Sequence, residues 1–399
     1  MTRTRTRRLR WVGGLTAVTC AAAISATTLP AHAAPEGHIL GAGAPGSVGG
    51  SYLVTLKGGT TAPSAAGKSL AEKYGAKISH TYGTVLNGYA VRADERQARR
   101  LAADSRVASV VQDTRVTLDH TQRNPPSWGL DRIDQKNLPL NKSYTSPKSA
   151  GSGVTVYVID TGIRIGHKDF GGRASYGWDF VGKDKSAGDG NGHGTHVAGI
   201  AAGKTYGVAK KARVVAVRVL DNSGAGTTAQ VIAGIDWVTK HARKPAVANL
   251  SLGGAYNAQL DAAVRNSIRS GVTYTVAAGN DGLPASLYSP AGVQEAITVG
   301  ASDKKDARAG FSNFGSALDL FAPGVSITSA SIASNTGRVT YSGTSMAAPH
   351  AAGVAALYLA DHRKAPPSQV AKAMVSGAVS GKVSGRGLGS PNRLLQVPR

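Results

Sequence analysis

Cysteine is almost missing from this chain: among 399 residues only Cys20 carries a thiol. A lone cysteine excludes an intramolecular disulfide and any metal centre built on paired thiolates. Acidic side chains are also few, 23 Asp and Glu against 46 Lys and Arg, for a formal charge of +23. The excess is not confined to the N-terminus, since from His120 onward there remain 31 basic and 16 acidic residues. These basic residues stand singly or in pairs, such as Lys210-Lys211 and Lys304-Lys305, with no aromatic-rich strand beside them. That spacing argues against a specific nucleic-acid partner and for a cationic protein drawn to acidic surfaces or polymers. Long apolar runs are missing too, with one exception at the N-terminus, and no internal repeat is visible.

The exception, Trp11 to Leu29, follows five arginines in the first ten residues and precedes Ala31-His32-Ala33. This reads as an export signal over residues 1–33. Its threonines and Pro30 speak against a membrane anchor, and Arg7-Arg8 leaves the general and twin-arginine routes both open. A secreted, extracellular and monomeric product is expected. Without Cys20 it has no thiol, so its stability has to come from a large core, bound cations or slow unfolding.

Residues 34–50 are rich in Gly, Ala and Pro and read as a flexible linker. The Gly41–Gly46 stretch has the form G-x-G-x-x-G, but no strand precedes it and Pro45 blocks the helix that should follow. Residues 51–119 give the order β-α-β-β-α-β, which suits a small α+β ferredoxin-like unit. From residue 120 to 399 strands alternate with helices. Strands are expected at 154–159, 214–219, 247–252, 272–277 and 296–299, and helices at 196–203, 228–241, 257–269 and 347–360. This pattern predicts an α/β fold, a parallel twisted sheet with helices on both faces, whose functional residues gather at the carboxyl ends of strands.

Three segments place reactive side chains at such ends. Asp160 closes the apolar run Val158-Ile159-Asp160. His193 opens a helix in Asp189-Gly-Asn-Gly-His193-Gly-Thr-His196. Ser345 lies at a helix start in Ser342-Gly-Thr-Ser345-Met-Ala-Ala-Pro349-His350, and Pro349 is expected in the first turn of that helix. Taken singly, each has an ordinary structural reading: a capping Asp, a metal-binding His pair, a Ser N-cap. Taken together they supply what acyl transfer needs, a nucleophile, a base to take its proton, and an acceptor to hold the base in one tautomer. His196, one turn after His193, is expected to be structural, because the H-E-x-x-H spacing of zinc proteases is absent.

Asp-Thr-Gly-Ile, His-Gly-Thr-His-Val-Ala-Gly and Gly-Thr-Ser-Met-Ala-Ala-Pro-His, in that order, resemble the three signature blocks of subtilisin-like serine proteases. The resemblance runs from about Trp128 to the C-terminus and is nearest the proteinase K branch. It implies a serine endopeptidase with Asp160, His193 and Ser345 as triad and Asn280, in Ala277-Ala-Gly-Asn280, as oxyanion donor. It implies two edges that hold a peptide as an added strand, Gly224-Ala225-Gly226 and Ser251-Leu252-Gly253, hence broad specificity. Thr228 stands where that branch often has a large residue lining an outer apolar pocket. The resemblance further implies structural calcium at Asp319 with the backbone carbonyls of Gln294 and Ala296, and no cofactor for catalysis. Residues 51–119 resemble the I9-type inhibitory propeptide of the same family, acting as intramolecular chaperone and inhibitor until cut between about Leu118 and Thr121. Three rival readings remain: a processing protease specific for basic pairs, a binding protein on a dead protease fold, and the small unit acting as a protease inhibitor in its own right.

Overall fold

In the computed structural model, described over residues 35–43, 47–83, 87–114 and 120–398, the chain divides between Arg115 and Val116 into two compact units. The expected export signal over 1–33, with Cys20, lies outside the described residues, and so does Leu118 of the expected cleavage region.

The smaller unit builds one sheet from strands Ser47–Leu56, Lys77–Tyr82, Gly88–Arg92 and Val107–Thr114, with helices Ala65–Lys73 and Glu95–Ala102. The first of these strands is central, antiparallel to both 107–114 and 88–92, and 77–82 pairs outside 88–92. That is the ferredoxin-like order expected. Ser64 and Asp94 start the two helices by accepting the N–H of Gly67 and Gln97, and Gln97 returns a bond to the Asp94 N–H in a capping box. Where it is described, the stretch 34–50 is not a plain linker, which corrects the expectation. Ile39 and Leu40 pair in parallel with Val110 and Val111, Ile39 is buried in the small core, and Ser47–Gly50 already belong to the central strand. Their low hydrophobicity hid this, since a two-residue edge strand gives no periodicity to read.

The larger unit is organised on a nine-stranded sheet. Its strands are β1 (Thr155–Asp160), β2 (Ala174–Asp179), β3 (Arg213–Arg218), β4 (Ala246–Leu250), β5 (Thr273–Ala277), β6 (Ile297–Ser302), β7 (Leu320–Pro323), β8 (Val379–Ser380) and β9 (Arg393–Leu394). The order across the sheet is β8-β9-β7-β6-β5-β4-β1-β3-β2, and every pairing is parallel except β8 with β9. The chain starts in the middle at β1, goes to the edge at β2, comes back to β3 beside β1, then crosses to the other side of β1 with β4 and proceeds to β7. The reversal of strand order beside β1 is the point at which open α/β sheets bind ligands, at the strand carboxyl ends.

Helices α1 (His193–Ala202), α2 (Thr228–His241), α3 (Ala258–Arg269), α4 (Thr344–Asp361) and α5 (Pro367–Gly377) cover the sheet. α1 and α4 share one core with Val156, Val158, Val247 and Val299, while α2 and α3 share the other with Tyr157, Ile159, Ala248 and Val276. α4 is buried almost all round, which its alanines permit by letting backbones come close. At Gly353 even a methyl group would lie 2.4 Å from Val208 Cβ.

Four strands of this sheet escaped the sequence reading, among them the two-residue β8 and β9. β2 (ASYGWD) is an exposed edge carrying a glycine, and β7 is four residues long and ends in proline. Pro349 is also placed differently from expectation: α4 begins at Thr344, so proline is its sixth residue and lies inside the helix. A proline there removes the N–H that would reach back to residue 345.

The two ends of this unit meet. The carbonyl of Ile133, in the short helix Trp128–Ile133, accepts from the Val397 N–H (2.7 Å) and from Gln396 Nε2 (2.7 Å). One residue earlier, fully buried Arg132 grips Asp306 through Nε (2.6 Å) and Nη2 (2.9 Å).

Candidate active site

Asp160 is the last residue of β1 and is wholly buried. Its Oδ1 accepts the Thr161 N–H (2.7 Å) and Nδ1–H of His193 (2.8 Å). The imidazole is thereby held with its other nitrogen, Nε2, free to take a proton. Burial acts to lower the His193 pKa, but the charge and hydrogen bond of Asp160, with the charge of Asp189, outweigh it and leave the pKa above its ordinary value.

His193 is the first residue of α1, which begins three residues before the expected 196, and its loop is pinned by a carboxylate that sequence reasoning did not single out. Asp189 Oδ1 accepts from Thr161 Oγ1 and from the N–H groups of Asn191 and Gly192, and its Oδ2 accepts from the N–H and Oγ1 of Thr195. Thr161 Oγ1 in turn accepts the Gly194 N–H. A side chain is impossible at Gly194, where a Cβ would stand 2.2 Å from the Gly162 carbonyl and 3.2 Å from Asp160 Oδ1. The available signal was an Asp four residues ahead of the His in a glycine-rich loop, the composition of a loop folded around one acceptor.

His196, one turn on, is fully buried. Its Nε2–H faces the carbonyls of Ile327 and Val339, 3.1 Å from each, and burial pulls its pKa down to about 4. It is a neutral packing residue, as the sequence reading expected. His350 is similar: it is buried, its Nδ1–H donates to the Met346 carbonyl, and burial brings it to about 4.

Ser345 is the second residue of α4, after Gly343, whose φ of 158° is extended. Its hydroxyl donates to the Ser251 carbonyl (3.0 Å). In this rotamer its single proton is directed to Ser251 and not to His193, so the O–H has to rotate before it faces the imidazole. The structure therefore makes the Asp160–His193 link and leaves the His193–Ser345 link to that rotation.

Asn280 follows β5. Its Oδ1 accepts from the N–H (2.8 Å) and Oγ1 (2.9 Å) of Thr344, which leaves Nδ2 as the outward donor. Thr344 Oγ1 also accepts the Gly279 N–H (3.2 Å). Thr344 thus orients the amide, a role the sequence did not reveal. Asn280 lines a cavity of about 310 Å³ together with Ser251–Gly254, Ala277–Gly279, Asp281 and Ser345.

A larger cleft of about 780 Å³ adjoins it, sharing Ser251–Gly254 and lined also by His193 and by Gly224, Ala225 and Gly226. The two expected peptide-binding edges therefore border one cleft. The turn at Gly224 (φ 81°) is held by Asp221, whose Oδ1 accepts from the N–H and Oγ of Ser223 and the N–H of Ala225. This carboxylate is spent on its own turn. Asp281 at the rim of the smaller cavity is an acid that the sequence reading did not count.

Asp319 lies between β6 and β7, its Oδ2 accepting the Thr298 N–H (2.8 Å). Burial pushes its carboxyl up to about 6, against the lowering effects of that bond and of Arg393. No group of three or more His, Cys, Asp or Glu able to hold a metal ion occurs among the described residues. A cation here would rest on one carboxylate and on carbonyls. A buried carboxyl short of counter-charge fits that donor set.

A model of the Subtilase family matches residues 151–393, and a Peptidase inhibitor I9 model matches residues 51–119. The chain is 52% identical over 324 residues to an extracellular serine proteinase of Thermus sp. (strain Rt41A), across 81% of this chain and 78% of that protein. It is 41% identical over 394 residues to a cuticle-degrading serine protease of Arthrobotrys oligospora, across 93% and 96%. A crystal structure of a cold-adapted subtilisin-like serine proteinase superposes with a TM-score of 0.67 at 51% identity, covering 68% of this chain and 98% of that one.

Proposed function

This chain belongs to the subtilase family, with an I9-type inhibitor domain ahead of its protease domain, and from that membership we propose that it is a secreted endopeptidase of broad specificity that matures by cutting its own precursor. The observation that carries this reading is the Asp160–His193 bond set at the sheet's switch point, beside a cleft that holds both Ser345 and Asn280.

In the proposed reaction a substrate strand lies between Gly224–Gly226 and Ser251–Gly253, paired through its backbone. Main-chain pairing is nearly blind to side chains, which supports broad specificity. Ser345 turns to His193, whose Nε2 takes the hydroxyl proton as Oγ attacks the carbonyl carbon. Asp160 stabilises the imidazolium that forms. The carbonyl oxygen becomes an oxyanion, met by Asn280 Nδ2 and the Ser345 N–H at the N-terminus of α4. His193 then gives its proton to the leaving amine. Water enters, loses a proton to the same nitrogen, and releases the acid by the reverse path. Asp221 accepts bonds from its own turn and is not among the residues lining the cleft, which supports this reading over specificity for basic pairs.

The first substrate is the precursor itself, cut between about Leu118 and Thr121, with residues 51–119 acting as chaperone and then inhibitor. Export by the segment 1–33 accords with the extracellular naming of the Thermus relative, and among the described residues no helix is long and apolar enough to cross a membrane. Calcium bound by Asp319 and the carbonyls of Gln294 and Ala296 would neutralise a buried carboxylate and take no part in the chemistry.

The test is Ser345→Ala in the full-length chain. The variant accumulates as uncut precursor, and its medium has no caseinolytic activity. Processing and casein hydrolysis that persist in the purified variant refute the assignment.

A further inference from the structure

A proline inside a helix leaves the carbonyl four residues back without its helical donor. In α4 that proline is Pro349 and the carbonyl belongs to Ser345. The vacancy is filled from outside the helix: Ser251 Oγ donates to the Ser345 carbonyl at 2.8 Å. Asn249 Nδ2 donates into the same Ser251 oxygen at 2.8 Å, which commits the one hydroxyl proton to Ser345. Thr275 Oγ1 donates to Asn249 Oδ1 at 3.0 Å and so fixes which end of the amide faces Ser251. Thr275 and Asn249 are wholly buried and Ser251 nearly so. Three donors thus run one way, from β5 across β4 to the first turn of α4, and Ser345 closes the contact by donating its own hydroxyl to the Ser251 carbonyl.

We infer that the Ser251 hydroxyl is a positioning group for Ser345, standing in for the backbone N–H that Pro349 lacks. The inference rests on reading Ser345 as the nucleophile. The sequence pattern pairs a serine just past one strand with a proline four residues after another serine, and each explains the other. The arrangement also couples two functions. The backbone of Ser251–Gly253 is the proposed substrate edge, while the Ser251 side chain anchors the residue that attacks. A peptide seated on that edge is registered against the nucleophile through one residue, with no intervening loop.

Ser251→Ala leaves the Ser345 carbonyl buried and without its donor, a defect that acts on the geometry of attack. On a chromogenic peptide amide, kcat falls about tenfold and KM stays within about twofold. In a Pro349→Ala background the helix supplies its own N–H to Ser345, and there Ser251→Ala costs less than about twofold in kcat. Equal losses in the two backgrounds overturn the inference, as does a loss confined to KM. If Ser251→Ala alone yields no mature enzyme, the double variant does yield it, and a double variant that also fails overturns the inference. Ser345→Ala separates the two readings. Activity retained in that variant removes the nucleophile assignment itself, whereas an inactive Ser345→Ala with additive Ser251 and Pro349 effects removes only this inference.

Discussion

Asp319→Asn should stabilise the mature protein at neutral pH when calcium is withheld, and the size of the effect follows from where the carboxyl titrates. The unfolded chain releases this proton near 3.8, whereas burial holds it to about 6 in the native state. Between those values the native state binds more protons than the unfolded one, so stability declines as pH rises through that window. Above about 6 the whole cost is present, on the order of 2–3 kcal/mol. Asparagine cannot ionise and escapes it. A cation at the site would cancel the same cost, so calcium should flatten the decline in the parent and do less in the variant. The assay is urea-induced unfolding between pH 4 and 7.5, with and without chelator, on enzyme first inactivated with a sulfonyl fluoride to stop autolysis. Parent and variant with the same pH dependence in chelator would refute the reasoning. Equal protection of both by calcium would discard Asp319 as a ligand while leaving the titration argument intact.

Other outcomes follow from the site. Asp160→Asn should lower kcat by about 10⁴, because the tautomer of His193 is no longer fixed. It also removes the strongest influence raising the His193 pKa, so the acid limb of the kcat/KM profile should move to lower pH as the plateau drops; a limb that stays put counts against His193 as the titrating base. Thr344→Val deletes one of the two bonds that orient Asn280. It should reduce kcat about 5- to 30-fold with KM preserved, the effect of one oriented hydrogen bond, and parallel kcat and KM measurements on a peptide amide would check it.

Much of this was legible from the chain because its signals were local. Asp160 closes a strand, His193 and Ser345 lie at helix starts and Asn280 sits three residues past a strand, and such ends are marked by glycine, proline and abrupt loss of hydrophobicity. Helix Thr228–His241 has the bounds read from the sequence, and a capping box of Thr227 and Gln230 fixes its start. What stayed hidden depends on contacts distant in sequence. Thr344 orients an amide 64 residues away, and Ser251 reaches a carbonyl 94 residues on. A serine in Ser-Leu-Gly-Gly carries no mark of that duty. Pro349 misled in an instructive way: treated as a helix opener, it placed the helix start too late, because propensity could not foresee a donor arriving from another strand. Ile39 was missed for the opposite reason, since two residues on a sheet edge add burial without adding pattern.

The two hydrogen bonds accepted by the Ile133 carbonyl clamp the C-terminal segment of the protease unit to its first helix. A hydrolase released among its own copies is surrounded by its own cleavage machinery, and backbone is cut in extended form. A tail that frays could be threaded into a neighbour's cleft, and the two bonds at residues 396 and 397 work against that fraying. Exposed internal loops are then the more open targets for self-digestion. The segment around Leu388, which is 90% exposed between glycines with positive φ, is such an entry. Without a single disulfide to hold the nicked halves together, the working life of the molecule is set by the rate at which its loops are bitten, not by how firmly its ends are tied.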